Sequence, residues 1–340
     1  MRGICALVLC IFLMAGALPA DAKAKRKPRR AAPESTRARV VEIRYDLATV
    51  NAARQDVISG QMKGPAVLRA QILFDRANFS VGEIDGSTGE NFYRAVAGFR
   101  ASRRLSPDMV VDEAAWSALN ADPGPALAPY TIAAEDVKGP FEPVPEDMME
   151  KSKLTRLGYS SAEEALGEKF HVSPKMLMLL NPGKSFRAGE EIIVPNVITS
   201  IGTRAGKIVV SKSKKTIEAF AADGTLLAQY PATMGSEHDP LPIGTWKIRG
   251  VAKYPPFHYN PALFWDANPG HSKAKIAPGP NNPVGAVWID LSKEHYGIHG
   301  APEPSRVGHA QSHGCIRLTN WDALELADLA APGIPAILQE

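Results

Sequence analysis

The chain has 340 residues, 45% of them hydrophobic and 22% charged, with a formal net charge of +3. This is ordinary soluble composition, long enough for two or three small domains. The charge is uneven: Lys23 to Arg39 holds eight basic residues and one acid, so the remainder is slightly acidic. No aromatic residues interleave with the basic run and no nucleic-acid-binding motif occurs, which argues against a nucleic-acid partner.

The chain opens on the positive Met1-Arg2, continues through the apolar Ile4–Leu18 and reaches the small-x-small Ala20-Asp21-Ala22. This pattern predicts a secretory signal peptide over 1–22, too short for a comfortable membrane span. No later apolar run approaches 18 residues, so no stable span is expected after its removal. The expected compartment is the periplasm or cell envelope. Residues 23–55 read as a basic disordered linker, solvated or drawn to anionic wall polymers. Of three cysteines, Cys5 and Cys10 fall in the signal peptide, leaving Cys315 as the lone exported thiol.

From Lys63 to Leu119 the pattern is helical. Val67, Ala70, Phe74 and Ala77 share one face, and Phe92, Ala95, Val96 and Phe99 repeat the i, i+3, i+4, i+7 spacing. Asp85-Gly86 is a turn and Asp112 a helix N-cap. A three-helix bundle over 56–120 follows. The text GEIDGSTGENFYRAVAGFRASRRLSPDMVVDEAAWSAL resembles the small helical peptidoglycan-binding domain, with Arg100 where that family usually has Gln. Phe92, Phe99 and Trp116 read individually as core.

Residues 121–157 are rich in Pro and Ala and read as a linker, with a short helix at Lys151–Leu157. Over 158–197, Ser161 starts a helix, Met176, Leu179 and Leu180 supply an apolar face, Asn181-Pro182-Gly183 turns, and Glu191–Pro195 is a strand. EALGEKFHVSPKMLMLLNPGKSFRAGEEIIVPN resembles a LysM glycan-binding module of order βααβ, although no first strand is recognisable just before Ser160. A spacer is the alternative. His171 reads as a surface or cap residue.

From Lys207 the period changes to two. Lys207–Val210, Thr216–Phe220, Leu226–Tyr230 and Pro242–Ile248 read as strands, with Ala222-Asp223-Gly224 as a hairpin turn. Lys253–Pro283 holds seven prolines and little periodicity, and reads as a functional loop lying over the site. Tyr254, Phe257 and Trp265 are its candidate substrate contacts, or merely pin it down. Ala286–Leu291 and Tyr296–His299 are strands. Thr319-Asn320 caps a last helix over Trp321–Ala331.

The chemistry concentrates in Ser312-His313-Gly314-Cys315-Ile316-Arg317, with His299-Gly300 upstream. Read as a strand, this segment places His313, Cys315 and Arg317 on one face. Gly314 would leave room for an approaching carbonyl. An ordinary thiol, with a pKa of about 8.5, is only about 3% thiolate at neutral pH. A basic histidine and the Arg317 charge would push that pKa down. Backbone N–H groups beside Cys315 could hold an oxyanion. A zinc set of His299, His309, His313 and Cys315 is an alternative, but no HExxH or paired CxxC accompanies it.

These residues resemble the signature of the L,D-transpeptidase (YkuD-type) catalytic domain over roughly 205–339. The resemblance implies a multidomain α+β chain with a mainly-β, sandwich-like catalytic domain carrying a C-terminal helix. It implies Cys315 as nucleophile and His299 as general base, oriented by the Gly300 carbonyl rather than a carboxylate. Glu303 is a second possible orienter. His313, Gly314, Ser312 and Arg317 would support the site, and no cofactor or metal is implied. The implied substrate is a peptidoglycan tetrapeptide stem that loses D-Ala, the acyl group passing to a stem amine or an envelope-protein lysine. Water as acceptor would make a carboxypeptidase. A non-catalytic wall-binding protein with a vestigial thiol is the rival class.

Overall fold

Asp46 opens the first helix by accepting a hydrogen bond from the Thr49 N–H at 2.8 Å. The structure, a computed structural model, describes residues 43–197 and 201–340. The expected signal peptide and residues 23–42 of the basic segment lie outside the described residues. Residues 43–55 depart from the expected disorder. They carry helix α1 (Leu47–Ala52), which packs on α2 (Pro65–Arg76) and buries Val50 completely.

Helices α3 (Glu90–Ser102) and α4 (Glu113–Leu119) complete the N-terminal helical unit. Phe74 meets Phe92 and Phe99 edge to face, at 5.8 and 5.3 Å between centroids. Trp116 is fully buried and its indole N–H donates to the Gln55 carbonyl at 2.8 Å. Asp112 caps α4 as the pattern predicts. Arg100 is also fully buried, its guanidinium donating to the carbonyls of Ser106 and Val110 and to Asp112. It ties α3 to the following loop and is not free to contact a ligand.

The next unit contains α6 (Ala162–Lys169), α7 (Pro174–Leu180) and two paired strands, β1 (Leu127–Thr131) and β2 (Glu191–Pro195). Strand β1 lies inside the stretch read as a linker and pairs antiparallel with β2, Leu127 opposite Pro195. The sequence hid it because residues 132–160 intervene between β1 and α6. That excursion carries the one-turn helix α5 at Met148–Lys151, earlier than the expected 151–157. Ser161 caps α6, and Glu164 reaches back to the Ser160 N–H at 2.7 Å.

The C-terminal unit is one continuous nine-stranded sheet. In chain order its strands are β3 (Lys207–Ser211), β4 (Thr216–Phe220), β5 (Leu226–Pro231), β6 (Thr233–Met234) and β7 (Gly244–Lys253). A separate two-stranded hairpin, β8 (Phe257–Tyr259) with β9 (Ala274–Ile276), follows. The large sheet resumes with β10 (Val287–Leu291), β11 (Gly297–Ala301) and β12 (Ile316–Thr319), then helix α8 (Asn320–Leu329) and β13 (Pro335–Gln339). Spatial order is β5-β4-β3-β13-β7-β10-β11-β12-β6. The expected sandwich is therefore two halves of a single sheet. Ten-residue β7 belongs to both, pairing with β13 along its first half and with β10 along its second. Ile208, Val210 and Ile217 from one half and Ile289, Ile298 and Ile316 from the other share one core with Leu326 of α8.

The two preceding units dock onto α8 and β5. The Ser80 N–H donates to the Gln229 carbonyl and the Gln229 N–H to the Asn78 carbonyl, both at 2.9 Å. His171, expected at the surface, stacks on Trp321 with centroids 5.3 Å apart, and its Nδ1 lies 3.0 Å from Asp75. Asp322 accepts from the Ser80 hydroxyl at 3.1 Å. Burial opposes charge on His171, but the surrounding Asp75, Asp322 and Glu325 outweigh it and raise its pKa. Among the described residues no helix is long and apolar enough to cross a membrane.

Candidate active site

Strand β11 is buried along its whole length between β10 and β12. The register sets His299 opposite Trp288 on one side and Arg317 on the other. Directly paired residues project to the same face. One row across three strands therefore carries an indole, an imidazole and a guanidinium. Trp288 and His299 stack at 5.6 Å. The row lines a cleft of about 760 Å³ that also contains Cys315, His313, Tyr296 and Phe257.

His299 is 3% exposed and its Nδ1 lies 2.7 Å from the Gly300 carbonyl oxygen. A carbonyl only accepts, so Nδ1 carries the hydrogen and Nε2 keeps the lone pair. Burial, then the Arg317 charge, pushes the His299 pKa down to about 3 against the weaker pull of that carbonyl. The imidazole is therefore neutral at physiological pH. Behind it, Asn320 holds the strand: its amide oxygen accepts from the Ala286 N–H at 2.9 Å and would collide with any Cβ at position 300. Its NH₂ group donates to Glu168 of α6 at 2.8 Å. Glu303 does not approach His299; it pairs with Arg306 at 2.9 Å.

Cys315 is partly buried and its thiol points to the His295 carbonyl at 3.7 Å. Its pKa is raised, contrary to the expectation of an acidified thiol. Burial dominates and Asp239 adds to it, outweighing the Gly297 N–H and the Arg317 charge, which both favour thiolate. The resting pair is therefore neutral thiol and neutral imidazole.

The strand expected through 313–317 begins only at Ile316. Gly314 has φ +91°, a left-handed conformation that breaks the period-two pattern. His313 thus reaches the cleft from a turn. Gly314 also lets the Tyr296 ring come close, since a Cβ there would lie 2.8 Å from it. Ser312 is buried away from the cleft; its hydroxyl donates to the Cys315 carbonyl at 2.6 Å and closes the turn. His313 Nε2 lies 2.8 Å from Asp266, and Phe264 meets its ring edge to face at 5.2 Å.

Of the three aromatics picked from 253–283, Phe257 lines the cleft. Trp265 stands outside it, 61% exposed and stacked on His238 at 4.4 Å. Tyr254 is also off the cleft wall, with φ +50° and its N–H donating to the Ala286 carbonyl. The segment itself is not structureless. Tyr259 and Ile276 of its hairpin form a small core with Leu157 of the excursion. His271 bridges Tyr259 at 3.0 Å and Asp147 at 2.8 Å. The excursion also lends Glu146, Asp147 and Met148 to the cleft wall.

The zinc alternative loses its geometry. His309 lines a different cavity, beside Glu83 and Asn91. Among the described residues no three metal-ligating side chains converge. Sequence reasoning missed Asp239, Asp266, Trp288 and Tyr296 in the wall. Trp288 could have been found from its alternation on β10 opposite His299; Asp239 and Asp266 sit in loops with no periodic signal.

Residues 205–338 match the family model of the L,D-transpeptidase catalytic domain, YkuD. The chain is 32% identical to the YkuD protein of Bacillus licheniformis over 173 residues, 50% of this chain and 88% of that protein. It is 31% identical to YkuD of Bacillus subtilis over 166 residues, 48% of this chain and 85% of that one. Among solved structures, an L,D-transpeptidase from Mycobacterium smegmatis is similar at 25% identity with a TM-score of 0.33, covering 44% of this chain and 66% of its own.

Proposed function

Because the chain belongs to the YkuD family of L,D-transpeptidases, we propose that it transfers an acyl group of a peptidoglycan stem peptide through Cys315. The observation that carries this reading is the tautomer of His299. Its Nδ1–H is engaged by the Gly300 carbonyl, which leaves an unprotonated Nε2 in the cleft that holds the only free thiol among the described residues.

A neutral pair suits a concerted start. The donor carbonyl enters the cleft, the thiol proton passes to His299 Nε2 as sulfur attacks, and the C–S bond forms. Arg317, across the strand from His299, favours the thiolate as it develops. His299 then returns the proton to the departing D-Ala amine, leaving a thioester. Proton transfer of this kind contributes about 10²–10⁴ in rate. Gly300 fixes the base and Asp266 holds His313 on the cleft wall. An amine from a neighbouring stem, or from an envelope-protein lysine, resolves the thioester. The work is done outside the inner membrane, after export directed by the N-terminal segment. The helical unit and the βααβ module hold the enzyme on the wall.

The test is residues 23–340 mixed with purified tetrapeptide muropeptides and followed by intact-protein and product mass spectrometry. A thioester on Cys315 with loss of D-Ala is expected. Dimers then identify a cross-linking enzyme, and tripeptide alone a carboxypeptidase. Full turnover by Cys315→Ala would sink the nucleophile assignment. Cleavage that needs added zinc would replace it with metal-assisted hydrolysis.

A further inference from the structure

The acyl-transfer reading leaves the acceptor open, and the cleft wall bears on it. Four carboxylates line the cleft, Glu146, Asp147, Asp239 and Asp266, against the single guanidinium of Arg317. Two of them are taken: Asp147 by His271 and Asp266 by His313. Asp239 differs. Its Oδ2 is buried and has no hydrogen-bond partner among the described residues. An unpaired buried carboxylate oxygen is expensive and normally has a partner.

The backbone of Asp239 is held where it stands. The Ser236 N–H donates to the Asp239 carbonyl and the Asp239 N–H to the Ser236 hydroxyl, at 2.9 and 3.0 Å. The Ser312 N–H, next to the nucleophile turn, donates to Gly235 of the same loop at 3.1 Å. One short loop is thereby tied to the turn that carries Cys315. Asp239, Tyr296 and Cys315 line the same cleft, and the Asp239 charge pushes the thiol pKa up.

Resting on the acyl-transfer reading, we propose that Asp239 is the acceptor-binding residue of the cleft, receiving the ammonium group of the incoming amine beside the thioester. This selects a cationic amine over water. The ammonium docks against the Asp239 carboxylate where that residue lines the cleft and releases one proton to solvent. The neutral nitrogen attacks the thioester carbonyl carbon; the C–N bond forms and the C–S bond breaks. A second proton leaves nitrogen through His299 to the departing sulfur, restoring the thiol. The nitrogen keeps one hydrogen as the new amide.

The experiment measures partition of the acyl-enzyme in wild type and Asp239→Asn, with stem tetrapeptide as donor. The acceptors are a stem peptide carrying a free side-chain amine, and hydroxylamine, which is uncharged at neutral pH. Asn keeps the size and removes the charge. Thioester formed per protein is measured separately for each protein, so that transfer is compared per acyl-enzyme formed. Transfer to the ammonium acceptor, relative to hydrolysis, should fall about ten- to a hundredfold, the worth of a hydrogen bond to a charged group. Transfer to hydroxylamine should be unchanged. Equal partition in the two proteins would overturn the proposal, as would an equal deficit with both nucleophiles. Loss of donor acylation in the variant would also overturn it, assigning the carboxylate to the architecture of the loop. A wild type that never forms a thioester would instead sink the acyl-transfer reading itself.

Discussion

Replacing Asp322 by Asn should make the protein more resistant to alkali. Asp322 is 1% exposed on α8, facing Ser80, Asp75, His171 and Glu325 where the N-terminal units dock. Burial, then the Asp75 charge, pushes its pKa up to about 8. The folded state thus holds a proton that the unfolded chain, with a carboxyl pKa of about 3.9, releases. Stability from this group is fully present below about pH 4 and drains away as pH rises through 8. Between pH 5 and pH 9 the linkage amounts to about 4 kcal/mol at 1.36 kcal/mol per unit. Asn cannot ionise and keeps an acceptor for the Ser80 hydroxyl. At pH 5 the two proteins should melt within about 2 °C of each other, and by pH 9 the variant should lead by about 5–10 °C, at roughly 2 °C per kcal/mol for a chain of this length. The assay is differential scanning calorimetry across that range, reading the variant-minus-wild-type difference. A difference that stays constant with pH would refute the reasoning, because it would mean that Asp322 does not change its proton on unfolding.

Three further outcomes follow from the same contacts. Gly314→Ala, forced into φ +91° against the Tyr296 ring, should lose about 1–3 kcal/mol in urea unfolding and most of its acylation rate; a fully active variant would show that the turn relaxes freely. Arg317→Met should move the pH profile of Cys315 alkylation by iodoacetamide to higher pH, since the guanidinium favours thiolate, and a shift to lower pH would contradict the electrostatic account. Trp321→Ala removes the ring on which His171 stacks and should cost about 3–5 kcal/mol, opening the N-terminal units to limited proteolysis while leaving the β3–β4 hairpin protected; wild-type proteolysis rates would count against it.

Elements that carry their own signal were readable in the sequence. The four-residue rhythm of Phe92, Ala95, Val96 and Phe99 is α3, and the alternation in Lys207–Ser211 and Thr216–Phe220 is β3 and β4. Caps such as Asp112, Ser161 and Thr319 read directly because they act within three residues. What failed depends on distant partners. Strand β1 exists only against β2, more than sixty positions on. His171 is an interior residue only because α8 arrives to cover it. The turn at 313–315 reads as strand in the sequence because alternation says nothing of φ, and Gly314 supplies a positive one. At the candidate site, His299 and Cys315, which line one cleft, could both be picked from sequence, but not the thiol's raised pKa. That follows from burial, which no local pattern records.

The excursion between β1 and α6 means the βααβ unit is not a detachable cassette. Its chain leaves the unit, supplies Leu157 to the hairpin that walls the cleft, lends Asp147 to His271, and returns to place Glu168 against Asn320. Trimming the protein to 205–338 would strip the apolar side of Tyr259 and Ile276 and leave the Asn320 amide without its carboxylate. The part that carries the nucleophile therefore lacks three residues of its own cleft wall, Glu146, Asp147 and Met148. Exchanging the front of this chain for a relative's would redraw the entrance to the thiol along with the anchor.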